Sequence, residues 1–305
     1  RIKKLDNGLV PIFEPGLNNL IAEGIDSGKL LFTSSPQESL KSPDIIILCV
    51  GTPDNGTGET SLKAIESCAK TISELLNQSV PVLIKSTVPV GTSVKVQNLI
   101  NMGLKERKLD IKVPVASNPE FLREGVAISE FCNPDRIVLG TNDQEVIQAT
   151  IKLYEGLMPE NQEILVMSPE SSELTKYASN SFLATKISYM NQLSQFCSLT
   201  GANIDDVRKG MGSDPVIAPG YLYAGCGFGG SCLPKDINSL IYQANEKGTD
   251  LTILKAVREV NESQKEYLFS IASSLFNNKS KDKKVAIWGL SFKPETDDMR
   301  GAPSL

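Results

Sequence analysis

An uninterrupted apolar run at residues 45–50, Ile-Ile-Ile-Leu-Cys-Val, is the feature of this sequence that most restricts its fold. The run is rich in β-branched side chains and is followed by Gly51-Thr52-Pro53. A strand that is apolar at every position has to be covered on both faces, which is typical of a central strand in a parallel sheet. The sequence therefore predicts an α/β fold.

The chain around this run alternates between strand and helix patterns. From residue 61 apolar side chains recur at helical spacing, and another helix is predicted over residues 94–100. Further strands are predicted at residues 80–85, 111–116 and 136–140. We expect a Rossmann-like domain with a parallel sheet over residues 1–168.

Short polar segments follow three of the predicted strands: Gly51-Thr52-Pro53, Ser86-Thr87 and Ser117-Asn118-Pro119-Glu120. Each is also an ordinary turn sequence, but three at successive strand ends favour a ligand site. Ligands of open α/β sheets bind beyond the carboxyl ends of the strands. No GxGxxG precedes Asp44, so the phosphate-binding loop of a dinucleotide fold is missing from this sequence.

The second half is predicted to be helical. Residues 171–199 contain neither glycine nor proline and carry apolar side chains at roughly helical spacing, and residues 251–276 repeat the pattern. Lys176 and Asn180 are four residues apart and share one helix face, which meets either a ligand or solvent. Because long paired helices often dimerise, we expect a helical dimerisation and catalytic domain over residues 169–280 and a homodimer or a multiple of dimers.

A last apolar run, at residues 285–290, predicts the first strand of a third α/β domain. The sequence ends at Leu305, before such a domain could form a core, and it begins at Arg1 without a Met. We therefore expect a chain cut at both ends, with a truncated nucleotide-binding domain at residues 281–305.

A glycine-rich segment, GCGFGGSCLPKD at residues 225–236, separates the two long helices. Pro234 fits the first turn of a following helix, which places Cys232 where backbone N–H groups and the helix dipole favour a thiolate. Lys235 adds positive charge nearby. The alternative for a cysteine is a small buried side chain, which is our interpretation of Cys226. We predict a nucleophile at Cys232, and no zinc site, because suitably spaced further ligands are missing.

Composition narrows the chemistry further. The chain has no histidine, which removes every Ser-His or Cys-His pair and leaves Lys, Asp, Glu, Tyr, Cys or water as acid or base. Its six cysteines lie scattered without a CxxC pair, which is typical of reduced thiols in the cytoplasm. A net charge of -5 argues against a nucleic-acid partner, and no apolar run approaches the roughly 20 residues of a membrane span. We expect a cytoplasmic protein that binds no metal.

Eight motifs resemble those of the nucleotide-sugar dehydrogenases, the UDP-glucose/GDP-mannose dehydrogenase family, and follow that family's order along nearly the whole chain. They are PIFEPGL (residues 11–17), VGTP (50–53), STVPVG (86–91), NPEFLREG (118–125), PDRIV (134–138), KYASN (176–180), GGSCLPKD (229–236) and FKPETDDMR (292–300). The branch that oxidises UDP-glucose is the most similar.

The resemblance implies NAD as the cofactor and a four-electron oxidation, in which the C6 alcohol of UDP-glucose passes through an aldehyde to the carboxylate of UDP-glucuronate. It implies that Cys232 is the nucleophile, forming first a thiohemiacetal and then a thioester. The other catalytic positions it implies are the oxyanion-stabilising Lys176 and Asn180, the water-holding Asp236 and Thr87, and Glu120 as a candidate base for thioester hydrolysis.

The same resemblance implies which residues bind the two ligands. Those implied to contact NAD are Thr52, Thr87, Glu124, Lys235 and Arg300. Those implied to contact the nucleotide sugar are Glu120, Phe121, Leu122, Arg123, Lys176, Asn180, Tyr221, Leu222, Tyr223, Ala224, Gly225, Gly229 and Lys293.

Some positions distinguish this chain from parts of the family. An Arg that reaches the neighbouring subunit's substrate commonly stands at the position of Val216, so that contact is not expected here. GDP-mannose dehydrogenases, one alternative, typically carry a His at the position of Leu183. UDP-N-acetylmannosamine dehydrogenases, another, typically have a His before the Cys and no Lys after the Pro, unlike Ser231 and Lys235. An alternative of another class is a non-catalytic dimerisation module, in which the glycine-rich segment is only a tight turn.

Overall fold

Five short strands form one sheet and confirm the predicted α/β fold. The computed structural model describes residues 2–158, 163–276, 281 and 283–305. Its strands are β1 (Ile46–Leu48), β2 (Val82–Ile84), β3 (Val115–Ser117), β4 (Val138–Gly140) and β5 (Leu165–Met167), which lie side by side in chain order. The predicted strands overlap the first four, whereas β5 was not predicted.

The helices lie before, between and after these strands. They are α1 (Ile2–Leu5), α2 (Leu17–Asp26), α3 (Pro36–Ser39), α4 (Lys63–Leu75), α5 (Thr92–Glu106), α6 (Ala127–Cys132), α7 (Gln144–Tyr154), α8 (Pro169–Thr200), α9 (Ile204–Gly212), α10 (Leu233–Glu246) and α11 (Thr252–Leu275). The two long helices predicted from apolar spacing are α8 and α11, and both are confirmed. Among the described helices, none is both long enough and apolar enough to cross a membrane.

The chain divides into two compact units. The first comprises the chain up to Asn55, Thr60–Lys176 and Glu295–Asp297, and the second comprises Gly56–Glu59, Tyr177–Pro294 and Asp298–Leu305. The division falls within α8, after Lys176. The three domains predicted at residues 1–168, 169–280 and 281–305 stay a prediction.

The direction of β4 corrects the expectation of an all-parallel sheet. β1, β2 and β3 are parallel, but β4 runs antiparallel to β3, with Ser117 opposite Gly140, and β5 is parallel to β4. A parallel neighbour needs a long crossover, usually a helix of several turns. Between β3 and β4 the chain forms only the six-residue α6, and it re-enters the sheet at the end where β3 leaves it.

Both faces of the sheet are covered at β2, which explains its unbroken apolar run. On one face, Val82 and Ile84 join a fully buried cluster with Ile65 of α4 and Val96 of α5. Leu83 points to the opposite face, since side chains alternate along a strand, and packs there in a second cluster with residues of α7 and neighbouring strands. β2 therefore lies in the interior of the first unit. β1 instead forms an edge of the described sheet and its Ile47 is 38% exposed, so the prediction of a central strand at residues 45–50 is wrong for the described residues.

The second unit has a smaller core between helices. Ala184 of α8, Ile237 and Ile241 of α10, and Val257 of α11 are buried together with Phe228 from the glycine-rich segment. The start of α10 is thereby tied to both long helices. This core positions the segment that carries Cys232.

The predicted strand at residues 285–290 is not formed. Ile287 is 60% exposed and Trp288 is fully exposed, and no described strand pairs with this segment. A β-strand needs a neighbour to satisfy its backbone hydrogen bonds and to cover its side chains, and an apolar run alone supplies neither. The strand prediction is therefore wrong for the described residues.

Candidate active site

In the first unit, the ends of β1 and β2 are linked by predicted cofactor-binding residues. The Thr52 hydroxyl donates a 2.7 Å hydrogen bond to the Thr87 carbonyl oxygen, and the Ser86 hydroxyl donates one of 2.7 Å to the Val50 carbonyl oxygen. Gly51 lies between these contacts, and apart from its two chain neighbours no described residue has an atom within 4 Å of the position that a Cβ would take there. A ligand can therefore approach the backbone at this edge of the sheet, which fits a nucleotide cofactor.

The polar segment after β3 is anchored by a buried network that the sequence did not indicate. Asn118 is 1% exposed and accepts hydrogen bonds at Oδ1 from the Tyr154 hydroxyl (2.7 Å) and from Lys85 Nζ (3.3 Å). Its Nδ2 donates to the Val138 carbonyl oxygen at 2.9 Å. Asn118 is thus a structural anchor, and it holds the segment that leads into Glu120.

Lys176 and Glu120, two predicted site residues, form an ion pair in the first unit. Lys176 Nζ lies 3.0 Å from Glu120 Oε1, and the lysine side chain is only 6% exposed. Glu120 Oε2 accepts a 2.6 Å hydrogen bond from the Leu122 backbone N–H. The lysine also lies 5.4 Å from the centre of the Phe121 ring, where cation–π attraction adds to the ion pair. A cation and a potential base are therefore fixed beside each other.

The segment after Glu120 is held by carboxylates. Glu130 pairs with the Arg123 guanidinium and also accepts from its backbone N–H at 2.6 Å. Glu14 Oε2 accepts a 2.7 Å hydrogen bond from the Gly125 backbone N–H, and Glu124 Oε2 accepts one of 3.2 Å from the Thr296 hydroxyl. Arg123 and Glu124, both predicted to bind ligands, are thus positioned within the first unit.

In the second unit, three predicted residues form one buried cluster. Asp236 is 1% exposed; its Oδ2 accepts a 2.6 Å hydrogen bond from Asn180 Nδ2, and its Oδ1 accepts one of 2.6 Å from Lys235 Nζ. Burial by itself lowers the pKa of Lys235, but Asp236, Tyr177 and Cys232 outweigh it and the pKa is raised. Lys235 therefore remains a cation at the start of α10.

Cys232 is exposed and is the residue that immediately precedes α10, with Pro234 in the first turn, as predicted. The Ser231 hydroxyl lies 3.6 Å from its sulfur. Backbone N–H groups at a helix start and the positive charge of Lys235 both stabilise a thiolate. The position is thus chemically suited to a nucleophile.

The glycines before Cys232 are required by the chain itself. A Cβ at Gly229 would lie 2.2 Å from the Gly301 carbonyl oxygen, and one at Gly230 would lie 2.8 Å from the Phe292 ring. The Gly230 backbone N–H also donates to the Arg300 carbonyl oxygen at 2.8 Å. Glycine at these two positions is therefore needed for packing, apart from any close approach of a ligand.

Arg300, predicted to contact NAD, has a partner within the second unit. Its Nε and Nη2 donate to the two carboxylate oxygens of Asp298 at 2.9 and 2.7 Å. These hydrogen bonds hold the pKa of Asp298 below its usual value. Asp298 thus fixes the orientation of the Arg300 guanidinium.

The side chains of the predicted sugar-binding stretch before Cys226 differ in their exposure and contacts. Tyr221 has a positive φ of 63°. Leu222 is buried, whereas Tyr223 is exposed and stacks under the Arg208 guanidinium at 4.4 Å.

Val216, which replaces the family's usual Arg, is 92% exposed. Lys293 lies 5.7 Å from the centre of the Phe292 ring.

The sequence of the chain is similar to two profiles of one enzyme family. The profile described as the UDP-glucose/GDP-mannose dehydrogenase family, NAD binding domain, matches residues 1–158, and the profile of the same family's central domain matches residues 170–263. Among curated relatives, UDP-glucose 6-dehydrogenase of Pseudomonas aeruginosa is 44% identical over all 305 residues, and UDP-glucose 6-dehydrogenase YwqF of Bacillus subtilis is 42% identical. The chain spans 67% and 68% of the lengths of these two relatives.

Solved structures are also similar. A UDP-glucose dehydrogenase from Pyrobaculum islandicum matches 99% of this chain and 69% of its own with a TM-score of 0.92 and 36% identity. A UDP-D-ManNAc dehydrogenase from Pyrococcus horikoshii matches 99% of this chain and 71% of its own, with a TM-score of 0.87 and 27% identity. A GDP-mannose dehydrogenase from Pseudomonas aeruginosa matches 99% of this chain and 69% of its own, with a TM-score of 0.66 and 30% identity.

Proposed function

The chain belongs to the UDP-glucose/GDP-mannose dehydrogenase family and is an NAD-dependent dehydrogenase, and we propose that it oxidises the C6 alcohol of UDP-glucose to the carboxylate of UDP-glucuronate. The observation that carries the proposal is the exposed Cys232 at the start of α10, beside the buried cluster of Lys235, Asp236 and Asn180. An alcohol dehydrogenase that stops at the aldehyde has no need of a nucleophilic thiol.

Cys232 makes the second oxidation possible. NAD, when bound, accepts two electrons in each of the two oxidation steps, and the residues proposed to hold it are Thr52, Thr87, Glu124, Lys235 and Arg300. The Cys232 thiolate adds to the aldehyde carbon, and the carbonyl oxygen takes up a proton to give a thiohemiacetal. Oxidation of that adduct releases its proton and leaves a thioester. Water then attacks the thioester, the C–S bond breaks, and the carboxylate and the free thiolate are formed with the release of two protons.

Two pairs of side chains would assist these steps. We assign Lys176 and Asn180 to the oxyanion that develops on the sugar's C6 oxygen, since an ammonium and an amide N–H stabilise negative charge. Glu120, already paired with Lys176, is the proposed base for thioester hydrolysis. Asp236, already hydrogen-bonded to Asn180, and Thr87 are the residues that the resemblance assigns to the catalytic water.

The resemblance also assigns residues to the sugar nucleotide. In the first unit these are Glu120, Phe121, Leu122, Arg123 and Lys176, and in the second they are Asn180, Tyr221, Leu222, Tyr223, Ala224, Gly225, Gly229 and Lys293. Two residues favour UDP-glucose as the substrate. Leu183 and Ser231 occupy positions at which the branches that oxidise other sugars typically carry a His.

We also propose a cytoplasmic homodimer, or a multiple of dimers, joined through α8. Phe182, Tyr189 and Phe196 recur at seven-residue intervals on this helix and are 64%, 51% and 61% exposed. A row of large apolar side chains with this period forms a continuous stripe that another helix can cover. Phe182→Glu is expected to halve the mass measured by light scattering, whereas Lys63→Glu on α4 is expected to leave it unchanged.

NADH counting tests the proposed reaction. The protein, expressed from its complete reading frame, is incubated with limiting UDP-glucose, GDP-mannose or UDP-N-acetylmannosamine and excess NAD. Two NADH per UDP-glucose, with net turnover lost in Cys232→Ser, is the expected result. Turnover of another sugar alone would change the substrate but keep the mechanism, and no NADH from any of the three would favour the dimerisation module.

A further inference from the structure

Buried carboxamides hold the backbone of the glycine-rich segment at Gly225. The Gly225 N–H donates to Asn191 Oδ1 at 2.8 Å, and its carbonyl oxygen accepts from Gln264 Nε2 at 2.7 Å. Asn191 is fully buried and Gln264 is 2% exposed. Gln195 Nε2 in turn donates to Gln264 Oε1 at 2.7 Å, which fixes the orientation of the Gln264 amide.

The same kind of contact recurs three residues further on. The Phe228 N–H donates to Asn261 Oδ1 at 2.7 Å, and Asn261 Nδ2 donates to the Phe228 carbonyl oxygen at 3.0 Å. Asn261 is 1% exposed. A carboxamide carries a donor and an acceptor side by side, so it can satisfy both backbone groups of one residue. We call Asn191, Gln195, Asn261 and Gln264 the carboxamide clamp.

Two features of the clamp lower the stability of the protein, so stability alone does not explain it. Nδ2 of Asn191 is buried and has no acceptor among the described residues, so the loss of its hydrogen bonds to water is not compensated. Gly227, between the two clamped residues, has a φ of 93°, and a Cβ there would lie 3.1 Å from Asn261 Oδ1. The segment is therefore fixed by directional hydrogen bonds in a conformation that favours glycine.

The clamped residues border the two functional parts of the segment. Gly225 ends the stretch proposed to bind the sugar, and Phe228 lies four residues before Cys232. The Phe228 side chain is 7% exposed and packs with Ile237 of α10. The backbone around Cys232 is thus held by α10 on one side and, four residues earlier, by the hydrogen bonds of Asn261 to Phe228 on the other.

We propose that the carboxamide clamp consists of positioning residues for the dehydrogenase reaction: Asn261 sets the position of Cys232, and Gln264 with Asn191 sets the sugar-binding stretch. The inference rests on the proposed function. It predicts that the two halves of the clamp affect different kinetic constants.

Asn261→Asp is the sharpest test, because it replaces only the amide that donates to the Phe228 carbonyl oxygen. We expect kcat with UDP-glucose to fall about 100-fold, the loss typical of a misplaced reacting group. KM should stay within about threefold of the original value. Burial at this position should raise the pKa of the introduced carboxyl group. As the pH is lowered from about 8 to 5.5, that group takes up a proton in part and can donate again, so kcat relative to the unmodified protein should recover in part.

Gln264→Glu should act on the other half and raise KM for UDP-glucose about tenfold with a smaller change in kcat. Gln195→Glu, at a partly buried position, should raise KM in the same direction and remains informative if Gln264→Glu does not fold. Asn245→Asp, on an exposed carboxamide of α10, makes the same chemical change and should leave both constants unaltered.

The rate of Cys232 alkylation by iodoacetamide, followed by mass spectrometry, gives a readout that does not require turnover. It should change in Asn261→Asp and not in Asn245→Asp. Unaltered kcat, KM and alkylation in the clamp variants would overturn the proposal, as would a loss of activity that tracks only the folded fraction and shows no pH recovery. If the unmodified protein does not oxidise UDP-glucose, the proposed function fails, and the alkylation rates still decide on the clamp.

Discussion

Asn180 donates a 2.6 Å hydrogen bond from Nδ2 to Oδ2 of Asp236, so the proposed oxyanion-stabilising amide and the proposed water-holding carboxylate are directly joined. Both side chains are buried, at 8% and 1% exposure. The other carboxylate oxygen accepts from Lys235. Because each partner orients the next, the cluster behaves as one unit, and a change at Asp236 should reach both neighbours.

Asp236→Asn should therefore lower both stability and activity. It leaves the Lys235 cation, whose side chain is 20% exposed, without its carboxylate, and removing one member of a buried ion pair costs about 3 kcal/mol. The introduced amide can also point a donor at Asn180. Urea unfolding should show this loss of unfolding free energy, and NADH production should fall about 100-fold.

Asp205→Asn is the matched control for that experiment. Asp205 pairs with Arg208 on α9, but its side chain is 67% exposed, so the change should cost less than about 1 kcal/mol. Equal losses in the two variants would show that burial of the Asp236 cluster contributes nothing.

Glu173 caps a helix from outside it and should be important for the stability of the first unit. Its carboxylate accepts hydrogen bonds from the Gly91 N–H (2.6 Å) and from the Ser93 N–H and hydroxyl (both 2.7 Å), at the start of α5. Glu173→Gln leaves one of these donors facing an NH₂ group. We expect a loss of about 1–3 kcal/mol in unfolding free energy.

The pH dependence of this loss has a definite sign. Burial raises the pKa of Glu173 above 4.5, although the hydrogen bonds from Ser93 and Gly91 work in the opposite direction. A folded-state pKa above the unfolded value contributes stability that is present at low pH and is lost as the pH rises through the folded pKa. Glutamine does not titrate, so the penalty of Glu173→Gln should be larger near pH 4.5 than near pH 7.5. A larger penalty at pH 7.5 would contradict this, and Glu74→Gln, at an exposed position of α4, should show neither effect.

Most of the fold could be predicted because its signals are local. A buried strand is apolar at every position, as at Val82–Ile84, and a long helix shows apolar residues every three or four positions, as in α8 and α11. β5 was missed because Leu165 and Val166 are 48% and 44% exposed and form only a short apolar run. The direction of β4 depends on the route of the chain after β3, which no local pattern records.

In the candidate site, too, the features set by local sequence could be predicted and those set by distant contacts could not. Pro234 and the glycines place Cys232 at a helix start by local rules alone, and the structure agrees. The partners of Glu173 and Asn118 lie far away in the sequence, so their roles required the structure. Asn261 did carry a signal: it is a polar residue at an apolar position of α11, which is typical of a buried hydrogen-bonded side chain.

Helix position should make Cys232 more reactive than another exposed cysteine. Cys132 is also exposed, but it is the last residue of α6, where the helix dipole disfavours a thiolate. We expect iodoacetamide at neutral pH to modify Cys232 about tenfold faster than Cys132. Partial burial raises the pKa of the Cys49 thiol, with Lys85 acting in the opposite direction, so Cys49 should also lag. Peptide mapping by mass spectrometry measures the three rates, and equal rates for Cys232 and Cys132 would remove the helix-start argument.

Two glycines of the same segment should differ in their tolerance of a methyl group. A Cβ at Gly229 would lie 2.2 Å from the Gly301 carbonyl oxygen, which belongs to the backbone and cannot swing aside as a side chain can. Gly229→Ala should therefore destabilise the protein by about 1–3 kcal/mol, the usual cost of overpacking. No atom lies within 4 Å of the corresponding position at Gly225, so Gly225→Ala should unfold at nearly the original temperature. If thermal unfolding moves equally in both variants, the contact between Gly229 and the backbone at Gly301 does not determine stability, and the glycine at position 229 must serve the ligand instead.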